Sequence, residues 1–148
     1  NEVSLEMINV SSIEESGSDF ILNTGSPHYV IFQNNIDKAV LADTAKQIRY
    51  SERFKAEGIN VNLVEVISDG YLKIRTYERG VEGETLSCGT GVTAAAISYA
   101  FKNKWTDKIN ISSKGGKLSV SFKKEDNLFT NLRLYGPAKF VYKGIINI

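Results

Sequence analysis

The single cysteine of this 148-residue sequence lies in Glu84-Thr85-Leu86-Ser87-Cys88-Gly89-Thr90-Gly91, directly before an uncharged run from Gly91 to Phe101 that contains three consecutive alanines. Alanine is the strongest helix former, so the run reads as a helix with Cys88 at its start. A helix start carries unpaired amide N–H groups and a partial positive charge. Both favour thiolate over thiol, and cysteines in such places titrate below the free-thiol value of about 8.5. Gly89 and Gly91 let the backbone approach a ligand closely, and the amides of Gly89 and Thr90 suit a carboxylate. The chemistry so described is a soft base beside an anion cradle. A second reading stands next to it: free cysteine is among the most buried residue types, which would make Cys88 a small apolar core residue. A mononucleotide loop fits less well, because it wants Lys after its glycines and Val92-Thr93 follow instead.

Three further groups carry polar chemistry. The only histidine, His28, follows the turn Thr24-Gly25-Ser26-Pro27 and opens a strand, so it is a site residue on a rigid element or an ordinary packed histidine. Glu78-Arg79-Gly80 closes a strand and offers a carboxylate and a fork-shaped cation suited to an amino acid's charged groups, or else a solvated ion pair of little energetic weight. Asn60 opens another strand as a neutral amide contact or a turn residue. Cys88 with His28 would make a cysteine hydrolase if the fold brought them together. Cys88-Gly89-Thr90-Gly91 with Arg79 would equally make a non-catalytic module that binds an amino acid. One cysteine excludes an intrachain disulfide and a multi-cysteine metal site, and one histidine leaves zinc only carboxylates. No metal is therefore expected.

The string Tyr77-Glu78-Arg79-Gly80, Glu84-Thr85 and Cys88-Gly89-Thr90-Gly91 resembles the diaminopimelate epimerase family. Gly25, Pro27 and His28, Asn60-Val61-Asn62, Gly115-Gly116 and Gly136-Pro137-Ala138 extend the likeness along nearly the whole chain. The resemblance implies an enzyme of two similar halves, each a barrel of strands around a central helix, with the active site in the cleft between them. It implies no pyridoxal phosphate, metal or other cofactor, and one cysteine from each half. Residues 1–148 resemble the C-terminal half as a single domain, without the N-terminal half and its cysteine. By matching position, Cys88 would be one of two acid/base thiols converting LL- to meso-diaminopimelate, in lysine and peptidoglycan biosynthesis. Gly89 and Thr90 would hold the carboxylate, and Ser26, Asn60, Glu78 and Arg79 would contact substrate. His28 and Glu78 would tune the thiols. Many members have Asn where Ser26 stands, and the link Val81-Glu82-Gly83 is one residue longer than in many members.

Inversion requires a proton to leave one face of a carbon and another to arrive on the opposite face, so two groups are the direct solution. The expected partners are thus diaminopimelate and an N-terminal half carrying the second thiol, and this half alone is expected to be inactive. An open cleft face could also drive homodimerisation.

The elements that must position these residues follow from patterning. Hydrophobic residues make up 42% and charged residues 24%, which is globular usage for one domain. Eighteen basic against seventeen acidic residues leave a net charge of +1, with no global pull toward nucleic acid or membrane. The first residue is Asn1 rather than Met, so the sequence is expected to be a piece of a longer chain. No secretory signal pattern opens it, and the expected compartment is a reducing cytoplasm. Period-two alternation predicts a half-buried strand over Val3–Met7, strands over 19–23 and 29–33, and three hairpins: 61–67 with 71–78 about Asp69-Gly70, 108–112 with 117–122 about Gly115-Gly116, and 128–135 with 139–146 about Gly136-Pro137. Leu41–Phe54 reads as an outer amphipathic helix that Gly58 breaks. A helix without a charged face, as over 91–101, is buried on every side. The predicted fold is α+β: a curved, mostly antiparallel, barrel-like sheet of eight or nine strands around one central buried helix, with one outer helix.

Overall fold

The alternating segments pair into one sheet. The computed structural model, which describes residues 1–147, contains β1 (Glu2–Glu6), β2 (Ile13–Ser16), β3 (Asp19–Asn23), β4 (Pro27–Phe32), α1 (Leu41–Arg49), β5 (Asn60–Ser68), β6 (Tyr71–Glu78), β7 (Gly83–Thr85), α2 (Gly89–Asn103), β8 (Ile109–Ser113), β9 (Gly116–Glu125) and β10 (Leu128–Pro137). Nine strands run in the order β1-β10-β9-β8-β6-β5-β4-β3-β2, and the short β7 pairs alongside β6. Pairing is antiparallel except for β4 with β5 and β6 with β8. Parallel neighbours need a crossover, and the two helices supply them: α1 joins β4 to β5, and α2 lies between β6 and β8.

The sheet curls because its ends are tied. β1 and β2 stand at opposite ends of the strand order, yet only residues 7–12 connect them. That connection itself bonds to β10, through Met7 N–H to the Leu132 carbonyl and through a reciprocal pair between Val10 and Phe129. The resulting barrel encloses α2, which packs against β3, β4, β5, β6, β8, β9 and β10. Every residue from Gly91 to Ala100 is buried. Ala94, Ala95 and Ala96 allow strands to come close on several sides, while Val92, Ile97 and Tyr99 fill the layer against Leu72, Ile74, Ile109, Ile111, Val120 and Leu132. Each fully buried aliphatic side chain here contributes about 1.5–3 kcal/mol. The other face of β5 is covered too: Val61 and Leu63 pack with Leu41 and Ala45 of α1 and with Tyr77. A strand covered on both faces reads as a continuous buried run, which accounts for Asn60–Val64.

Several local expectations are corrected. β1 has the predicted period but sits at the sheet edge with no layer over it, so Val3 is 52% and Leu5 60% exposed. α1 ends at Arg49, short of Phe54, because the Arg49 guanidinium donates to the carbonyls of Phe54 and Lys55 and bends the chain into turns. Gly136-Pro137 is no hairpin turn: β10 runs through it, pairing with Val3 and Glu2 of β1, and residues 138–147 form no strand. β2 and β7 are too short to show alternation. The central helix begins at Gly89, two residues earlier than predicted. No helix among the described residues is long and apolar enough to cross a membrane.

β7, which leads toward Cys88, is anchored by charge. The Glu84 carboxylate takes two 2.8 Å hydrogen bonds from Arg75 and lies 2.8 Å from the Lys114 ammonium. Arg75 also donates to the carbonyls of Ile36 and Ala39, so one guanidinium ties β7 to the segment before α1. The Arg75 hydrogen bonds, followed by Lys114, lower the Glu84 carboxyl to about 2 from its ordinary 4.5. A carboxyl depressed in the folded state stabilises above its unfolded value, and that stabilisation disappears as pH falls through the folded value. The melting-temperature gap between wild type and Glu84→Gln is therefore expected to be fully open near neutral pH and to close between about pH 4.5 and pH 2. A gap independent of pH over that range would contradict the assignment.

Candidate active site

Cys88 is the N-cap of α2, extended at φ −129° and ψ 111°, with its carbonyl accepting the first helical bond from Val92 at 2.9 Å. Its side chain caps no amide, so the N–H groups of the first turn stay directed out of the helix beside the sulfur. Cys88 itself is half-buried. The buried-core reading of this cysteine therefore fails on position: burial begins at Gly91, one turn deeper.

The sulfur is coupled to the barrel interior. Sγ lies 3.4 Å from the Thr90 hydroxyl, and that hydroxyl lies 2.9 Å from Nε2 of His28. His28 is fully buried on β4. Burial, reinforced by the positive charge of Arg79, pushes the imidazole down to about 3, so His28 is neutral at physiological pH. Its other nitrogen, Nδ1, is 3.0 Å from the Asn62 amide nitrogen, and Asn62 Oδ1 accepts from the Thr76 hydroxyl at 2.9 Å. Thr24 donates to the Thr90 carbonyl at 2.7 Å, fixing the first turn of α2 from the β3–β4 turn.

Packing leaves no freedom at this junction. A Cβ on Gly91 would stand 2.6 Å from Asn62 Oδ1 and 3.3 Å from the His28 ring. Only glycine lets α2 approach β4 and β5 so closely. On the opposite flank, Gly115 donates to the Leu86 carbonyl at 2.7 Å, so the Gly115-Gly116 hairpin braces the loop that delivers Cys88.

The rim is a second network. Asn60 donates to Ser26 Oγ and to the Pro27 carbonyl, both at 2.9 Å, and accepts the Arg79 backbone N–H at 3.0 Å. The sequence-derived contacts Ser26, Asn60 and Arg79 thus adjoin one another, with Asn60 as their staple. Glu78 accepts a short hydrogen bond from Thr85, while the exposed Arg79 guanidinium donates to the Glu57 carbonyl at 2.8 Å. The turn after Arg79 is held by Glu82, whose backbone is left-handed at φ +55°. Its carboxylate gathers the Gly80 N–H, Arg49, Tyr50 and Tyr77. The Gly80 hydrogen bond holds that carboxyl below its usual range, aided by Tyr50 and Arg49. Burial, with the neighbouring Tyr50 and Glu82, raises the Tyr77 phenol to about 12. The Val81-Glu82-Gly83 link is therefore an ordered clamp.

The sequence reading brought Cys88, His28, Gly89, Thr90, Ser26, Asn60, Glu78 and Arg79 forward and gave no individual role to Asn62, Thr76, Thr24, Thr85 and Glu82. One signal for the first of these was present: Asn62 repeats Asn60 at period two within the buried stretch Asn60–Val64, otherwise built of Val and Leu. Among the described residues, no group of three His, Cys, Asp or Glu side chains is placed to hold a metal ion.

Comparison with known proteins matches this sequence to a family. The family model described as diaminopimelate epimerase matches residues 20–141. The diaminopimelate epimerase of Flavobacterium psychrophilum is 46% identical over 145 residues, covering 97% of this chain and 57% of that protein. That of Methanocella arvoryzae is 41% identical, covering 86% of this chain and 43% of that protein. The chain thus spans about half the length of the curated relatives it matches. Among solved structures, a probable proline racemase from Agrobacterium radiobacter superposes with a TM-score of 0.63 at 14% identity, over 91% of this chain and 50% of that one. A hydroxyproline epimerase from Agrobacterium vitis does so with 0.63 at 13%, over 91% and 49%; at these identities the likeness is one of fold. The motif around Cys88, the barrel around α2 and the match over most of the sequence agree: this chain belongs to the diaminopimelate epimerase family.

Proposed function

We propose that this chain is the C-terminal half of a cofactor-independent epimerase that interconverts LL- and meso-diaminopimelate in lysine biosynthesis, with Cys88 as one of two acid/base thiols. The observation that carries the reading is the position of Cys88: a half-buried sulfur at the N-cap of an enclosed helix, beside first-turn amides without a side-chain cap. A substrate carboxylate held by the N–H groups of Gly89 and Thr90 would place its α-carbon next to the sulfur. Negative charge developing as the α-proton leaves would meet preorganised donors, the arrangement that stabilises such charge most effectively. Glu78 and Arg79, with Asn60 and Ser26, form the rim that would receive the charged groups of diaminopimelate, and His28 and Glu78 condition the thiol rather than touch the reacting carbon.

Inversion needs a second group on the opposite face of that carbon, and Cys88 is the sole thiol of this chain. The proposed partner is an N-terminal half that carries the other cysteine and closes the cleft. An apolar surface is available to such a partner: Val3 and Leu5 on the edge strand β1, and Phe140, Val141 and Tyr142 beyond β10, are all more than half exposed. Homodimerisation through the same surface is the competing assembly. The hydrolase alternative loses support, because Thr90 stands between the sulfur and His28 and the imidazole's other nitrogen is occupied by Asn62. The proposed compartment is the cytoplasm, where a free thiol persists.

Two measurements test the proposal. Incubated with LL-diaminopimelate in deuterated buffer, the chain alone is expected to give no inversion. Addition of the first half of the Flavobacterium psychrophilum relative is expected to give meso product with solvent deuterium at the inverted carbon, lost by about 10²-fold or more in Cys88→Ala. Rapid inversion by this chain unaided would refute the two-thiol argument. Binding of diaminopimelate with no turnover in the reconstituted pair would favour the binding-module reading. Second, iodoacetamide is expected to modify Cys88 in the native chain, more slowly at acidic pH. A requirement for denaturant would return Cys88 to a structural role.

A further inference from the structure

The hydrogen bonds behind Cys88 have a determinable direction. Asn62 Nδ2 lies 3.3 Å from the Tyr29 carbonyl, which can only accept, so this end of the amide is its NH2. The same NH2 lies 3.0 Å from His28 Nδ1, which must then be the bare, accepting nitrogen. The opposite end, Oδ1, accepts from Thr76 Oγ1. With Nδ1 bare, the neutral ring carries its proton on Nε2 and donates it to the Thr90 hydroxyl at 2.9 Å. A hydroxyl oxygen that accepts from the imidazole is left with its own proton to donate, and the Cys88 sulfur lies 3.4 Å away.

We infer that Asn62 and Thr76 are positioning residues that lock His28 as the neutral Nε2–H tautomer, and that through Thr90 this lock delivers a hydrogen bond to the Cys88 sulfur. The donors all run one way, from Thr76 through Asn62, His28 and Thr90 to sulfur, so each bond polarises the next and the sequence favours thiolate. If Asn62 is lost, Nδ1 can hold the proton instead. Nε2 then accepts from Thr90, and the hydroxyl turns away from the sulfur. The charged or titratable groups around the imidazole are Cys88 at the start of α2 and Arg79 after β6. Its cross-strand partners, Leu22 on β3 and Asn60 on β5, carry no charge. The role of Cys88 as an acid/base thiol rests on the proposed function, whereas the tautomer lock does not.

The chain has one histidine and one cysteine, so both ends of the relay are read without interference. Nitrogen-15 NMR of histidine-labelled protein is expected to show His28 as Nε2–H, with no imidazolium formed down to about pH 5. In Asn62→Leu the tautomers are expected to mix, and iodoacetamide alkylation of Cys88 near pH 7 to slow by ~3- to 10-fold, with the midpoint of its pH profile moved upward. Thr76→Val is expected to shift both readouts in the same direction and Thr76→Ser to restore them, which covers the case in which Asn62→Leu fails to fold. An Nδ1–H or charged His28 in the wild type would overturn the inference. So would an unchanged alkylation profile in a folded Asn62→Leu or Thr76→Val. None of these readouts requires turnover, so absence of epimerisation in the reconstituted pair would count against the proposed function while leaving the relay standing.

Discussion

The constraint on which this structure depends is the complete enclosure of the ten central residues of a fifteen-residue helix. From Gly91 to Ala100 the helix has no face for water, so strands must surround it. One short connection ties the two ends of the strand order together and forces the sheet to curl. An enclosed helix has only its ends near solvent. Its N-terminal end, where amides lack partners and partial positive charge accumulates, is where the chain places its only sulfur. Enclosure of the helix and the half-buried position of Cys88 at its mouth are consequences of the same packing.

Close packing around α2 also brings polar groups inside, and the penalty for leaving one unpaired, about 1–3 kcal/mol, makes each partner obligatory. His28 is buried to the point of neutrality. Its two nitrogens are matched to Asn62 and Thr90, and Asn62 in turn to Thr76 and the Tyr29 carbonyl. A neutral imidazole in this setting is a fixed dipole, held in place by hydrogen bonds at both ring nitrogens. The narrow fit at Gly91 keeps these groups at hydrogen-bonding distance.

The rim is assembled by different means. Asn60 staples Ser26 and Pro27 to the backbone of Arg79, and Glu82 gathers Gly80, Arg49, Tyr50 and Tyr77 into a clamp behind the same turn. The interior network of His28, Asn62, Thr76 and Thr24 is buried, while the Arg79 guanidinium remains exposed. That contrast gives the candidate site one finished wall, formed by α2 and β4 to β6, and an exposed rim.

The α+β class, the uncharged helix with a cysteine at its start, and two of the three hairpins were legible in the amino-acid sequence, because they follow from local periodicity, alanine content and turn chemistry. The family likeness was legible as well, through short motifs whose glycines and polar residues stand at fixed spacing. Where periodicity alone was read, tertiary contacts overruled it. β1 is exposed because nothing packs over the sheet edge, α1 stops where Arg49 seizes downstream carbonyls, and Gly136-Pro137 continues a strand because β1 pairs with it. The parallel β4–β5 register that sets His28 beside Asn62 is likewise a long-range outcome. Spacing within a segment shows which residues share a face. Only the pairing of distant segments decides which of them meet, because that depends on contacts summed over the whole barrel. The sequence by itself therefore determined that a thiol would sit at a helix start; the tertiary structure alone decided that a buried, neutral imidazole, held by an asparagine and a threonine from neighbouring strands, would stand behind it.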